Sequence, residues 1–155
     1  MAQETERKFL PLYHWKERVK DIIGEEIRQG YLNEDPHRTI RVRIKGNKGF
    51  LTIKGKTEGI SRQEFEYPIP QQDAEGLLLL CKGPLIEKRR FTFMEGPQQW
   101  EVDEFFGDNA GLVIAEAELE HDLQALELPE WIGEEVSHDP RYYNSQLSQK
   151  PFGSW

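Results

Sequence analysis

The clearest pattern in the chain runs from Thr39 to Lys45. Arg41, Arg43 and Lys45 alternate with Ile40, Val42 and Ile44, so an extended strand here has one basic face and one apolar face. Gly46-Asn47-Lys48-Gly49 predicts a hairpin loop, and the return strand sets Thr52, Lys54 and Lys56 opposite Leu51 and Ile53. After Gly59, Ser61–Ile69 alternates Arg62, Glu64 and Glu66 with Gln63, Phe65 and Tyr67. Leu85–Phe93 sets Lys88, Arg90 and Thr92 against Arg89, Phe91 and Phe93. Beyond the Gly96-Pro97 turn, Trp100–Phe106 sets Glu101 and Asp103 against Trp100 and Val102. Leu112–Glu120, which follows Gly107-Asp108-Asn109, sets Glu116, Glu118 and Glu120 against Ala115, Ala117 and Leu119. The opening Glu4-Thr5-Glu6-Arg7-Lys8, running into Phe9-Leu10, reads the same way, with Glu4, Glu6 and Lys8 on one face. Glu25–Leu32 completes a set of eight strands, ended by Asn33-Glu34-Asp35-Pro36.

Helical spacing is confined to short stretches. His14–Ile23 brings Trp15, Val19 and Ile22 near one face before Gly24, and about Gln72–Lys82 follows Pro70 and stops at Gly83-Pro84. In the tail, Glu130–Val136 is predicted as a short helical piece, and Asp139–Asn144 as another with Asp139 as N-cap and Pro140 first. Eight strands joined by hairpin-type turns, with few helices, predict a mainly β (α+β) fold: an antiparallel sheet closing into a β-barrel with flanking helices. The whole chain, residues 1–155, is expected to be a single domain.

Two arrangements satisfy this alternation. The apolar faces fill the barrel and the charges face water, or the charges line the lumen and helices cover an apolar exterior. The charges are segregated by sign: basic on the strands of Arg41/Arg43, Lys54/Lys56 and Lys88/Arg90, acidic on those of Glu4/Glu6, Glu64/Glu66, Glu101/Asp103 and Glu116/Glu118. Like charges two apart on one strand repel unless a ligand or metal compensates. A charged lumen accounts for the segregation, and the other arrangement does not forbid it.

Composition narrows the function classes. With 28 acidic and 20 basic residues and a net charge of −8, the chain is not drawn to nucleic acid in bulk. A single cysteine, Cys81, excludes an intrachain disulfide and fits a reducing, cytoplasmic compartment. It lies in the apolar run Leu77–Cys81, where a structural thiol is expected. No apolar run reaches the ~20 residues that span a bilayer, so no membrane partner is expected. There is no phosphate-binding P-loop, and His14, His37, His121 and His138 are scattered rather than spaced as zinc ligands.

A basic wall offers bidentate Arg and mobile Lys contacts to a compact polyanion. An acidic wall would repel that anion unless it held Mg²⁺ or Mn²⁺, hard cations that prefer oxygen ligands.

Several segments resemble, in order and over nearly the whole chain, those of the CYTH family, the triphosphate tunnel metalloenzymes. They are Glu4-x-Glu6-x-Lys8, Gln29–Leu32, Arg41-x-Arg43, Leu51–Lys56, Glu64-x-Glu66, Glu87–Arg90, Trp100–Asp103 and Glu116-x-Glu118. The resemblance implies an eight-stranded tunnel that hydrolyses or cyclises triphosphates with a divalent metal. By position it implies that Glu4, Glu6, Glu116 and Glu118 bind Mg²⁺ or Mn²⁺ and that Arg41, Arg43, Lys54, Lys56, Lys88 and Arg90 cradle the substrate. Lys8 falls where activation of the attacking water is proposed; Tyr31, Glu64, Glu66 and Asp103 are further lumen candidates. The Asp139–Asn144 segment resembles one that plugs a tunnel mouth. Surrounding positive charge and partial burial are expected to lower Lys8 while Glu4, Glu6 and the substrate push back; if the positive neighbours and bound metal win, some neutral amine exists near about pH 8–9. Inorganic triphosphate is the first substrate expected, hydrolysed to pyrophosphate and phosphate. A class IV adenylyl cyclase, a thiamine or nucleoside triphosphatase, and a non-catalytic polyphosphate-binding module stay open, as does a homodimer.

Overall fold

The computed structural model describes residues 3–155. Nine strands carry the architecture: β1 (Gln3–Pro11), β2 (Glu25–Tyr31), β3 (Arg38–Lys45), β4 (Lys48–Gly55), β5 (Ser61–Ile69), β6 (Ile86–Glu95), β7 (Gln98–Phe105), β8 (Val113–Glu118) and β9 (Ile132–Glu135). Eight of them form the order β5-β4-β3-β2-β6-β7-β8-β1, and β1 also pairs with β5, so the antiparallel sheet closes on itself. The strand β1 makes this closure by dividing its length. Gln3–Thr5 pair with β5, Glu6–Phe9 pair with β8, and Phe9–Pro11 pair with β9.

This division explains one departure from expectation. Glu130–Val136, predicted as helical, contains β9, a strand. β5 leaves the far end of β1 uncovered, and an open edge presents unpaired N–H and C=O groups. β9 fills it, and the backbone bonds from Leu12 N to Trp131 O (2.8 Å) and from Val136 N to Lys8 O (2.8 Å) extend the pairing at both ends.

The β3–β4 hairpin is tighter than the sequence suggests. β3 and β4 are joined through Gly46-Asn47 alone, with Lys45 facing Lys48, and Gly46 takes the positive φ of 61° that such a turn demands. Helices are shorter than expected. α1 is Trp15–Val19 rather than His14–Ile23, and α2 is Gln71–Leu78 rather than Gln72–Lys82. Beyond α2 the apolar face runs out of partners, with Leu79 and Leu80 exposed, while beyond α1 Ile22 still packs on the core and Ile23 is exposed.

The charged faces point inward. Lys8, Arg41, Arg43, Lys54, Lys88, Arg90 and Asp103 are all buried, while the apolar faces lie outside the barrel, most of them under three covers and with Ile53, Phe65 and Tyr67 of β4 and β5 left exposed. Trp15 and Val19 of α1, with Trp131 and Ile132, pack on Phe9, Phe93 and Trp100. Ala74 and Leu78 of α2 cover Val42 and Ile44. Tyr142 and Leu147, from the C-terminal segment, join Ile86, Phe105 and Ile114. Each cover removes apolar area from water, at about 25 cal/mol per Å².

Candidate functional site

The strand registers grade the lumen along its axis. At one end β1, β4 and β5 bring together Glu4, Lys54, Arg62 and Glu64: Lys54 Nζ lies 3.0 Å from Glu4 and 3.2 Å from Glu64, and Arg62 Nε 3.5 Å from Glu4. In the middle, Arg41 Nη2 donates to Thr52 Oγ1 (3.2 Å) and Glu66 (3.4 Å), and Arg90 reaches Glu101 (3.2 Å). At the other end Arg90 grips Asp103 through Nε (2.8 Å) and Nη2 (2.9 Å), and Lys88 Nζ approaches the same carboxylate at 2.8 Å. Arg43 Nε there donates to Gln29 Oε1 at 2.8 Å. The cavity, of ≈ 220 Å³, is lined mostly by polar groups.

Most of the expected residues meet here. Glu4, Glu6, Lys8, Tyr31, Arg41, Arg43, Lys54, Glu64, Glu66, Lys88, Arg90, Glu116 and Glu118 all line the cavity. Asp103 sits directly behind Arg90 and Lys88, 1% exposed. Lys56 does not belong. β4 ends at Gly55, so the alternation that points Lys54 inward no longer governs Lys56, whose side chain is exposed. Other lining residues were not named as site candidates from sequence. Arg62 and Glu101 stand two residues from Glu64 and Asp103 and share their faces; Ser137, Tyr143 and Asn144 come from irregular chain after β9, where no periodicity marks them.

For Lys8 the acidic neighbours win. The β1–β8 register sets Lys8 opposite Glu116, and Nζ lies 2.9 Å from Glu116 and 2.6 Å from Glu6. Burial alone would lower its pKa, but Glu116 and Glu6 outweigh burial and raise it above the ordinary lysine range. Lys8 is therefore a firm cation in this arrangement. Lys88 is the lysine that is lowered. Burial dominates, Asp103 opposes it, and Arg90 and Arg43 add to it, bringing Lys88 to about 7. Asp103 is shared with Arg90, so Lys88 receives only part of its charge. Asp103 itself, despite burial, is held well below its ordinary range by Arg90 and Lys88. Burial, then Arg41 and Arg90, lower Arg43 to about 9, which still leaves the guanidinium protonated at neutral pH.

The acidic wall shows matching tension. Glu6 is set directly across from Glu118, and Glu101 across from Glu116, pairings that repel unless compensated. Burial, with Glu6, raises Glu116, and burial, with Glu4, raises Glu118. At the end near Lys54, burial and Glu4 bring Glu64 up to about 7. The donor set, all carboxylate oxygens, suits a hard divalent cation. Among the described residues, no three His, Cys, Asp or Glu side chains are gathered about one point: Glu6 and Glu116 turn to Lys8, and Glu4 turns to Lys54. On the basic wall, Arg41 Nε is a buried donor with no hydrogen-bond partner among the described residues, the kind of group an anion oxygen would satisfy.

Comparison with known proteins gives a consistent picture. The family model of the CYTH domain matches residues 2–143. The chain is 46% identical over 154 residues to an inorganic triphosphatase of Acetivibrio thermocellus, covering 98% of this chain and 97% of that one. It is 35% identical over 149 residues to an inorganic triphosphatase of Nitrosomonas europaea, covering 94% and 96%. The solved structure of the inorganic triphosphatase NE1496 superposes with a TM-score of 0.67 at 34% identity, covering 94% of this chain and 97% of that chain.

Proposed function

The chain belongs to the CYTH-domain family, and on that premise we propose that it hydrolyses inorganic triphosphate to pyrophosphate and phosphate inside the barrel, with Mg²⁺ or Mn²⁺. The observation that carries this reading is the buried wall of Arg41, Arg43, Lys54, Lys88 and Arg90 facing an acidic wall across one lumen. Two relatives that cover nearly the whole chain are named inorganic triphosphatases, which supports the choice of substrate.

Each wall has its task. The five basic side chains bind the anion along the axis, Arg through paired donors and Lys through point charges. Glu4, Glu6, Glu116 and Glu118 are the residues that would hold the metal. Basic and acidic side chains line the cavity in nearly equal number, so a polyanion entering alone would tip the lumen negative; a divalent cation on the acidic wall restores the balance. When bound, such an ion polarises phosphoryl oxygens and offsets charge that develops during phosphoryl transfer. Lys8, protonated and hydrogen-bonded to both Glu6 and Glu116, orients the attacking water through its Nζ–H groups. The bases within reach of that water are the two carboxylates. Tyr31, Glu66 and Asp103 shape and brace the basic wall, and Glu64 does so beside Lys54. Cys81, a free thiol partly covered by α2, stands apart from this chemistry. A single unpaired cysteine supports a cytoplasmic location, and no helix among the described residues is long and apolar enough to cross a membrane.

The test offers purified protein with Mg²⁺ or Mn²⁺ triphosphate, ATP and thiamine triphosphate in parallel, and measures phosphate, pyrophosphate and cyclic nucleotide. Triphosphate should turn over fastest, yielding phosphate and pyrophosphate in equal amounts, and excess chelator should stop it. Cyclic nucleotide from ATP, or faster release from thiamine triphosphate, would overturn the substrate assignment; binding of all three without turnover would overturn the hydrolase.

A further inference from the structure

Beyond β9 the chain turns back over one end of the barrel. Asp139 accepts from Arg141 N (3.1 Å) and opens a 3-10 turn, Pro140–Tyr142, where a helix through Asn144 was expected. A four-residue helix, α3 (Asn144–Leu147), follows. Tyr142 and Leu147 are buried against Ile86 and Phe105, and this anchors the segment. Asn144 is thereby held over the end of the lumen that contains Lys88 and Arg43.

Its side chain closes a continuous chain of hydrogen bonds. Arg43 Nε donates to Gln29 Oε1 (2.8 Å), Gln29 Nε2 donates to Asn144 Oδ1 (3.1 Å), and Lys88 Nζ donates to the same Oδ1 (3.0 Å). Both amide orientations follow from the partners. A guanidinium can only donate, so Oε1 of Gln29 faces Arg43; Nε2 and Lys88 then both require an acceptor, which fixes Oδ1 of Asn144. Gln29 is fully buried, and Asn144 lines the cavity with its Nδ2 outside this chain of bonds.

We propose that Asn144 is a positioning residue for the triphosphate: it fixes Lys88 directly and Arg43 through Gln29, so that both basic side chains are already aimed at one end of the anion. The inference rests on the function proposed above and assigns that site a residue from the C-terminal segment. Its physical basis is preorganisation. A long lysine side chain pinned before binding loses little further freedom on binding. A plug that served only to cover the barrel end would need Tyr142 and Leu147 but no polar contact with the basic wall.

Calorimetric titration with triphosphate, in the full-length protein, tests the inference. Asn144→Ala should weaken binding roughly tenfold, because Lys88 and Gln29 lose the acceptor that aims them, while the unliganded thermal midpoint falls by no more than a few degrees. Asn144→Asp keeps both accepted bonds but sets a carboxylate beside the anion, and should bind more weakly than Asn144→Ala. In a Lys88→Met background, Asn144→Ala should add less than about a twofold loss, because coupled groups are not additive. Wild-type affinity in Asn144→Ala, full additivity with Lys88→Met, or a midpoint that falls in step with affinity would each overturn the positioning role. A wild-type protein that takes up no triphosphate would instead overturn the proposed function, and this inference with it.

Discussion

Lys88 illustrates how far a single residue departs from its ordinary chemistry. Lowered to about 7 by burial and by Arg90 and Arg43, it is largely neutral at pH 8, whereas a bound polyanion favours the ammonium. Triphosphate binding at pH 8 should therefore draw a proton onto Lys88, and affinity should fall as pH rises through and above 7. Calorimetry in two buffers of different ionisation enthalpy measures this. Wild type should take up as much as one proton more than Lys88→Met, and an equal or smaller uptake would mean that Lys88 is already charged. In the unliganded protein the sign runs the other way. Between about 7 and the ordinary lysine value near ~10.4 the unfolded chain binds the extra proton, so this group's contribution to stability rises with pH. The presence of Lys88, Arg90, Arg41 and Arg43 on common faces was legible from alternation alone. Lys8 was not, because its neighbours depend on the β1–β8 register that sets Glu116 across from it, and register is a property of two distant segments. Gln29 was legible only as part of a family segment, its role depending on Asn144, which lies 115 residues away.

Among the elements, strands with unbroken alternation were readable to within a residue or two. β3 and β5 show this best, since both are bounded by turn residues and both segregate charge from apolar side chains. What was not readable is set by tertiary partners. β9 is a strand because β1 has an open edge there, and its four residues hold too little pattern to say so. α2 stops at Leu78 although apolar residues continue, because nothing covers Leu79 and Leu80. The fit of α2 on the barrel makes a prediction at this scale. A Cβ added at Gly49 of β4 would lie 2.8 Å from the Ala74 Cβ of α2 and 3.0 Å from Ile69 O. Valine suits a strand by propensity, but here the overlap decides. Gly49→Val should lower stability by about 1–3 kcal/mol, seen as a lower denaturant midpoint with triphosphate affinity near that of wild type. Unchanged stability would mean that α2 does not rest on this surface.

For the whole molecule, the decisive feature is that the barrel is built inside out, with charge in the lumen and three apolar covers outside. Closure was suggested by eight strands and hairpin turns, and the inward direction of the charges by their segregation into walls of one sign. Neither observation required it, since a half-exposed sheet shows the same alternation. The lumen charges are satisfied largely between neighbouring strands, with Lys8 held by Glu6 and Glu116, Lys54 by Glu4 and Glu64, and Arg90 by Asp103 and Glu101. A ligand with both an anion and a cation can replace these pairs wall by wall. The division of labour between the walls is the central claim, and Glu6→Gln tests it most directly when binding and turnover are followed on one sample with saturating Mg²⁺. Triphosphate binding should stay within a few-fold of wild type because the basic wall is intact, while turnover should fall by about 100-fold or more, as several kcal/mol of charge stabilisation are lost. Turnover near the wild-type rate would contradict the account, because the acidic wall would then have no part in the chemistry.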